Sequence, residues 1–289
     1  MIYTLKNEQL TLEIATLGAE LRSVKNAEGT EFMWQGDSRY WGGTAPWLFP
    51  ICGRLHGTGY TYQGVEYPME RHGFARRCEF AVREQSSTAL TMVLTPNEKT
   101  RAVYPFDFLF EIAYRLDGNR VFVTLTVVNK GREIMPAAVG GHPGFSLPLG
   151  GVGSYDDCYL EFSTPCTPCK VIFSENLLDS GVRSPYPLED GRRIPLSREL
   201  FANDAIFLCD MASAVTLRSK KSEHAVQVSY GDIPYLGIWS AASGGDFVCI
   251  EPWCGMASLE GVTALEEKSD MMQIAPGEAR TVELDIAFC

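Results

Sequence analysis

Residues 108–129, FLFEIAYRLDGNRVFVTLTVVN, indicate the fold class of this chain. Apolar and polar side chains alternate on either side of Asp117-Gly118-Asn119, a tripeptide typical of a hairpin turn. Val, Ile, Phe, Tyr and Thr fill both halves, as strands prefer. Because a period of two places alternate side chains on opposite faces of a sheet, the segment predicts two long strands joined by a tight turn.

The same alternation recurs in short runs along the chain. These runs cover residues 10–16, 90–95, 225–230, 247–250 and 280–288. Long helical periodicity is missing, and short helices are expected only at residues 196–203 and 262–272. The polar stretch 176–193 is short enough to be a surface loop, and no low-complexity linker divides the chain. Many strands without intervening helices predict an all-β sandwich or barrel, forming a single domain over residues 1–289.

Composition limits the classes of partner. The 289 residues carry a net charge of −11, from 25 basic and 36 acidic side chains. This balance argues against nucleic acid and anionic membranes, since both favour a basic surface. No apolar run approaches the roughly 20 residues of a membrane span, and the first residues do not resemble a signal peptide. With nine cysteines, which cannot all pair, these features predict a soluble, cytoplasmic protein with reduced thiols.

Two motifs that often hold ligands lack the required context. Cys166 and Cys169 form one CxxC, whereas a zinc ribbon needs a second pair at similar spacing. The glycine-rich residues 150–153 do not open a helix after a strand, as a nucleotide-binding loop does. We therefore expect neither a metal nor a cofactor.

Two of the four histidines stand in unusual settings. His142 lies between a Gly-Gly pair and Pro143, and His72 lies in ERHGFAR, residues 70–76. The glycines allow the backbone to approach a ligand closely, and the proline restricts the chain after the histidine. Both histidines are candidate site residues, although a structural role fits the same pattern.

A third candidate is Glu251 in FVCIEPWCG, residues 247–255. Apolar surroundings raise the pKa of a carboxyl group and make it a useful general base near neutral pH. The alternative is a carboxylate that pairs with an arginine for structural reasons. Arg54, where an apolar run becomes glycine-rich, is placed to balance Glu251, to bind an anion or to hydrogen-bond hydroxyl groups.

Aromatic residues near these motifs offer a surface for the apolar C–H faces of a sugar, although each one alone more often belongs to a core. They are Trp41, Trp47, Phe49, Phe74, Trp239 and Trp253.

Together the motifs resemble the aldose 1-epimerase (galactose mutarotase-like) superfamily, and most of all its subgroup of LacX-like proteins. The matching segments, in family order, are PWLFPICGRL (46–55), HGFAR (72–76), YPFDFLFEIAYRL (104–116), MPAAVGGHPGF (135–145), FANDAIF (201–207), YLGIWS (235–240) and CIEPWCG (249–255). This resemblance implies a large antiparallel β-supersandwich.

It also implies roles for individual residues. Glu251 takes the proton of the anomeric hydroxyl, and His142 protonates the ring oxygen so that the sugar opens to the aldehyde. Rotation and closure then give the other anomer. His72 binds the sugar near the ring oxygen, and Asp204 contacts the substrate. Trp239, one of the aromatic residues named above, is a further expected contact that rests on its position near the motifs. The acid and the base are expected on opposite sides of the anomeric carbon.

One departure from the family affects specificity. Typical galactose mutarotases carry an Asn-Arg pair shortly after the Gly-Arg that is Gly53-Arg54 here, and this chain lacks it. Arg54 and Arg76 remain as candidates for hydroxyl or anion contacts. Because neighbouring strand residues point to opposite faces, at most two of Arg71, Arg76 and Arg77 are expected to face the pocket.

The expected substrate is a free aldohexose, with a hexose 6-phosphate as the first alternative. A sugar-binding protein without turnover is the second alternative, and a polysaccharide lyase or hydrolase is the third. Retention of both His142 and Glu251 favours catalysis, because binding alone does not require an acid–base pair.

Overall fold

The computed structural model describes residues 1–289 and is built almost entirely from strands. The strands are β1 Ile2–Lys6, β2 Leu10–Ala15, β3 Leu21–Asn26, β4 Trp47–Leu48, β5 Gly59–Tyr62, β6 Val65–Pro68, β7 Ala81–Gln85, β8 Ala89–Leu94, β9 Phe108–Asp117, β10 Arg120–Asn129, β11 Met135–Ala137, β12 Gly140–Gly141, β13 Gly144–Ser146, β14 Cys158–Phe162, β15 Cys169–Phe173, β16 Asp179–Pro185, β17 Arg193–Pro195, β18 Ile206–Cys209, β19 Ala214–Ser219, β20 Val226–Ser229, β21 Tyr235–Trp239, β22 Phe247–Trp253, β23 Met272–Ile274 and β24 Ala279–Phe288. The helices are α1 Glu98–Arg101 and four 3-10 turns at Ala75–Arg77, Leu149–Gly151, Tyr155–Asp157 and Arg198–Phe201. None of these helices has the length and hydropathy to cross a membrane.

Two large antiparallel sheets dominate the architecture. The nine-stranded sheet has the order β17-β14-β19-β20-β24-β10-β9-β8-β7. The eight-stranded sheet has the order β16-β15-β18-β21-β22-β12-β4, and β13 also pairs with β22. A three-stranded sheet, β1-β2-β3, and two strand pairs complete the fold. The all-β prediction is therefore confirmed.

The predicted hairpin lies at the centre of the larger sheet. β9 and β10 pair antiparallel from Arg120 opposite Asp117 to Asn129 opposite Phe108. Burial alternates strictly along both strands, because one face lies on the core. A shift of one residue would turn the whole apolar set outwards, so this pattern fixes the register.

The two large sheets meet through aromatic side chains. Phe49, next to β4, stacks on Phe110 of β9 with ring centroids 4.6 Å apart. Trp47 donates its indole N–H to the Tyr114 hydroxyl at 2.6 Å, and that hydroxyl donates to the Ala19 carbonyl at 2.6 Å. A buried polar group without a partner costs about 1–3 kcal/mol. This chain of bonds therefore holds β4 of the smaller sheet at a fixed place over the larger one.

Three local predictions were wrong in whole or in part. Residues 176–193 are not a loop throughout, because β16 lies within them and pairs with β15. Residues 196–203 contain only the short 3-10 turn Arg198–Phe201. Residues 262–272 form turns instead of a helix. Their backbone is used elsewhere, since Thr61 of β5 donates to the Thr263 carbonyl at 2.9 Å and accepts from Leu265 at 2.8 Å.

Candidate active site

Strand β22 presents Glu251 from the middle of the smaller sheet. Glu251 stands opposite Gly237 of β21. A Cβ at Gly237 would lie 3.1 Å from the Cβ of Glu251 and 2.7 Å from the ring of Phe207. The absence of a side chain at this glycine therefore gives the carboxylate and the aromatic ring their room.

A neighbouring segment brings His142 to the same place. β12 pairs with both β22 and β4, with Gly140 opposite Trp253 on one side and Leu48 on the other. His142 follows directly and donates its backbone N–H to the Pro46 carbonyl at 3.1 Å. Its ring stacks on Trp41 with centroids 4.9 Å apart and meets the edge of Trp239 at 5.6 Å.

The structure places the predicted acid and base in contact. Nε2 of His142 lies 3.3 Å from Oε2 of Glu251, and both side chains are almost fully buried. They were expected on opposite sides of the anomeric carbon, an arrangement around the sugar that stays a prediction. Neighbouring groups suit the same chemistry, because the anomeric hydroxyl oxygen and the ring oxygen are bonded to one carbon atom.

Burial controls the charge of this pair. It lowers the pKa of His142 to about 3 and raises the pKa of Glu251 well above its ordinary range. For Glu251, the positive charge of Arg71 opposes the shift and the carboxylate of Asp204 adds to it. Since a low dielectric disfavours charge on either group, the pair retains one proton in total and is held in its uncharged form.

His72 is fixed by its backbone neighbours. Its N–H donates to the Gly53 carbonyl at 2.9 Å, and the Gly53 N–H donates to its Nδ1 at 3.2 Å. Its φ is +68°, a left-handed conformation that residues other than glycine adopt rarely. The opposite ring nitrogen, Nε2, lies 3.0 Å from Nε of Arg71.

These elements enclose a cavity of about 260 Å³. Five predicted site residues line it, namely His72, Arg76, His142, Trp239 and Glu251. Arg54 and Asp204 line a smaller adjoining cavity of about 30 Å³, which shares Arg71, Ala205, Phe207 and Trp253 with the first. Trp47 and Phe49 lie in the core instead.

Phe207 is a site residue that sequence reasoning missed, and Arg71 was considered only as one of three arginines of which at most two would face the pocket. Arg71 lines both cavities and is exposed at their mouth. Its position immediately before His72 was the available signal. Phe207 lies at the end of FANDAIF, three residues after the predicted Asp204. It was missed because, with two apolar neighbours, it looks like an ordinary residue of a buried strand.

Two of the three arginines near His72 face the cavity, as expected, but strand alternation is not the reason, because Arg76 and Arg77 lie in the 3-10 turn Ala75–Arg77. Arg71 and Arg76 line the cavity, whereas Arg77 pairs with Glu70 at the surface. Arg76 donates from Nη2 to the Arg71 carbonyl at 2.9 Å, and its buried Nε has no partner. Neither Arg54, Arg71 nor Arg76 forms an ion pair with a carboxylate. The site therefore holds three guanidinium groups that no direct ion pair neutralises.

One group of side chains has the donors for a metal ion. The ligand atoms of His142, Cys249 and Glu251 all lie within 4.8 Å of one another. Burial and the neighbouring Glu251 raise the pKa of the Cys249 thiol well above its ordinary range, and a thiol binds metals only after it loses its proton. Nδ1 of His142 also lacks the second partner that usually orients a metal-binding histidine.

The profile of the aldose 1-epimerase family matches residues 1–266. The chain belongs to the aldose 1-epimerase family. Protein LacX from a plasmid of Lactococcus lactis is 37% identical over 298 aligned residues, covering 100% of this chain and 99% of LacX. The crystal structure of a galactose mutarotase related enzyme from Lactobacillus acidophilus is also 37% identical, with a TM-score of 0.96 and coverage of 100% and 97%.

A galactose mutarotase-like protein from Lactobacillus casei is 29% identical, with a TM-score of 0.92 and complete coverage of both chains. An Escherichia coli protein described as a putative aldose 1-epimerase has a TM-score of 0.79 at 19% identity, covering 100% of this chain and 99% of that one, which shows the fold alone. These matches confirm both the family resemblance and the expected antiparallel β-supersandwich of the galactose mutarotase-like type.

Proposed function

We propose that this member of the aldose 1-epimerase family interconverts the α and β anomers of a free aldohexose. The observation that carries the proposal is the buried contact of 3.3 Å between His142 and Glu251 at a cavity lined by tryptophans. An acid and a base in contact suit the anomeric hydroxyl oxygen and the ring oxygen of a sugar, which are bonded to the same carbon atom. Aromatic rings with a few polar groups suit a sugar, which has apolar faces and a polar edge.

The single proton held by His142 and Glu251 is sufficient for a reaction cycle that returns both side chains to their starting form. A proton first crosses the contact from Glu251 to His142. Glu251 then accepts the proton of the anomeric hydroxyl, His142 donates its proton to the ring oxygen, and the bond between C1 and the ring oxygen breaks. The aldehyde rotates about C1–C2, and the reverse proton transfers close the ring on the other face. Each positioned acid–base group contributes roughly 10²–10⁴-fold to the rate.

Ring opening returns the pair to its uncharged form. Opening leaves His142 neutral and Glu251 protonated, which is the uncharged form that burial stabilises. The free energy spent on forming the ion pair in the first step is therefore recovered when the ring opens. No water is needed for these steps, since both protons move between the sugar and the two side chains.

A hexose phosphate is the second candidate substrate, and one observation favours it. Arg54, Arg71 and Arg76 line the two adjoining cavities without forming an ion pair with a carboxylate, and several arginines bind a phosphate well. The carboxylate of Asp204 lines the same space and would repel a dianion. Arginine also binds neutral hydroxyl groups by donating its N–H groups, so these contacts fit the free sugar.

The test is saturation-transfer NMR of anomer exchange with glucose, galactose and glucose 6-phosphate at matched concentrations. We expect exchange by the wild-type protein, and losses of at least roughly a hundredfold in His142→Asn and Glu251→Gln. His56→Asn, which changes a histidine outside both cavities, is the matched control. Sugar binding without exchange would identify a binding protein and refute the proposal. A preference for the phosphate above roughly tenfold, about 1.4 kcal/mol, would assign the second substrate class.

A further inference from the structure

The imidazole of His142 lacks the second hydrogen bond that usually orients a histidine in proton transfer. Its Nε2 lies 3.3 Å from Oε2 of Glu251, but the buried Nδ1 forms no hydrogen bond with another residue. In most such histidines, a carboxylate or carbonyl bonded to the other nitrogen holds the ring in a defined direction. A single contact at Nε2 does not define the plane of the ring, so other neighbours must determine it.

Two indole rings surround the imidazole in the geometries that aromatic pairs favour. Trp41 lies over the face of the His142 ring, with centroids 4.9 Å apart and 28° between the planes. Trp239 is almost perpendicular to the same ring, at 5.6 Å and 79°. The two indoles also contact each other edge to face, at 5.6 Å and 85°. A stacked ring on one side and a perpendicular ring on another restrict the plane that the imidazole can adopt.

The segment that carries Trp41 holds the indole in this place. The backbone N–H of Trp41 donates to the Asp37 carbonyl at 2.9 Å, and its carbonyl accepts from the indole N–H of Trp34 at 2.8 Å. A Cβ at Gly144 would lie 2.8 Å from the Trp41 ring. The glycine therefore allows the indole to lie directly against the backbone that follows His142.

We infer that Trp41 is a positioning residue of the proposed function, on which this inference rests, and that its indole holds the His142 ring in the plane from which the proton is delivered. A carboxylate at Nδ1 would orient the ring too, but it would also favour the charged imidazolium throughout the cycle. An indole face orients the ring and leaves it neutral until Glu251 passes its proton across. The separation of 4.9 Å then lies within the roughly 6 Å over which a cation interacts with an indole face, so Trp41 also stabilises the short-lived imidazolium.

The first experiment measures the mobility of the His142 ring by ¹³C NMR relaxation in the sugar-free protein, and it does not depend on any activity. The chain has four histidines, so the His142 signals are assigned by their loss in His142→Asn. The order parameter of the ring should be near 0.85 in the wild type, a value typical of rigid groups, and should fall towards about 0.6 in Trp41→Leu. Trp41→Phe, which keeps a stacking ring, should retain most of the order. A mobile ring in the wild type, or an unchanged order parameter in Trp41→Leu, would overturn the inference.

The second experiment measures kcat and KM for anomer exchange in the same two variants, with Tyr40→Leu as the matched control. Tyr40 precedes Trp41 on the same segment but does not line the cavity, so this variant should behave as wild type. Because misplacing a reacting group costs up to about a hundredfold in rate, kcat should fall roughly ten- to a hundredfold in Trp41→Leu, while KM changes much less. Phenylalanine should restore most of the loss.

An unchanged kcat in Trp41→Leu would refute the inference. If KM alone rose, Trp41 would be a stacking platform for the sugar instead of a positioning residue. If the wild type exchanges no anomers, the proposed function fails, and the relaxation measurement still decides whether Trp41 holds the His142 ring.

Discussion

Replacing His142 by Asn should change how the stability of the protein depends on pH. Burial lowers the pKa of His142 to about 3 from 6.5. In the unfolded chain the ring becomes protonated below pH 6.5, whereas in the folded protein it stays neutral down to about pH 3. The unfolded state therefore binds more protons in acid, and the contribution of His142 to stability falls as the pH decreases through this window.

The magnitude follows from the size of the shift. Each pKa unit corresponds to about 1.4 kcal/mol, so the complete loss between pH 6.5 and 3 is on the order of 5 kcal/mol for this buried group. About 2 kcal/mol of it is already lost at pH 5, because this pH lies about 1.5 units below the pKa of the ring in the unfolded chain. A loss of this size is a large fraction of the stability of a typical domain.

The assay is urea unfolding at pH 7, 6 and 5 for the wild type, His142→Asn and the control His56→Asn. The wild type and the control should lose about 2 kcal/mol more than His142→Asn between pH 7 and 5. The comparison uses the change in the free energy of unfolding between two pH values, so any pH-independent loss of stability from altered packing against Trp41 cancels. Equal losses in the wild type and His142→Asn would refute the account of a neutral, buried imidazole.

Three further predictions follow from the same site. Glu251→Gln should lower turnover at least roughly a hundredfold. Its stability should also increase relative to the wild type as the pH rises above 4.5, because a carboxyl group whose pKa is raised on folding makes the wild type less stable with increasing pH. Thermal unfolding at pH 5 and 8 measures this, and a difference from the wild type that is the same at both pH values would contradict it. The pH profile of kcat/KM should be bell-shaped. Its acid limb should lie near pH 3, where His142 and Glu251 are both protonated, and its basic limb should mark the loss of the last proton shared by the pair. A profile without a basic limb would contradict the proposal that this pair transfers the protons. Exhaustive treatment with EDTA should leave anomer exchange intact, and a loss that a divalent ion restores would show that a metal takes part.

The sequence predicts the strands well because each long strand has one buried face. The alternating runs at residues 10–16, 90–95 and 280–288 match β2, β8 and β24 to within one residue at each end. His142 and Glu251 were identifiable for a similar reason. Glycine, proline and apolar neighbours mark both positions locally, without knowledge of which segments meet.

The errors concern contacts between distant segments. Residues 262–272 have a helical pattern, but their backbone pairs with Thr61, some two hundred residues earlier in the chain. The adjacency of His142 and Glu251 depends on the pairing of β12 with β22, which no local pattern shows. That Arg71 lines the cavity depends on the direction of its side chain, and the spacing of the motif does not determine that direction.

Gly237 limits how the substrate preference of this scaffold can change. A side chain there would press on both Phe207 and Glu251, so a mutation at this position would damage the proton-transfer apparatus before it altered recognition of the sugar. The segments around Arg71 and Asp204 are free of that conflict, because they lie outside the strands. Libraries intended to redirect specificity should therefore vary these two segments and keep β21 and β22 constant, so that new sugar preferences arise while the strands that carry Gly237 and Glu251 stay unchanged.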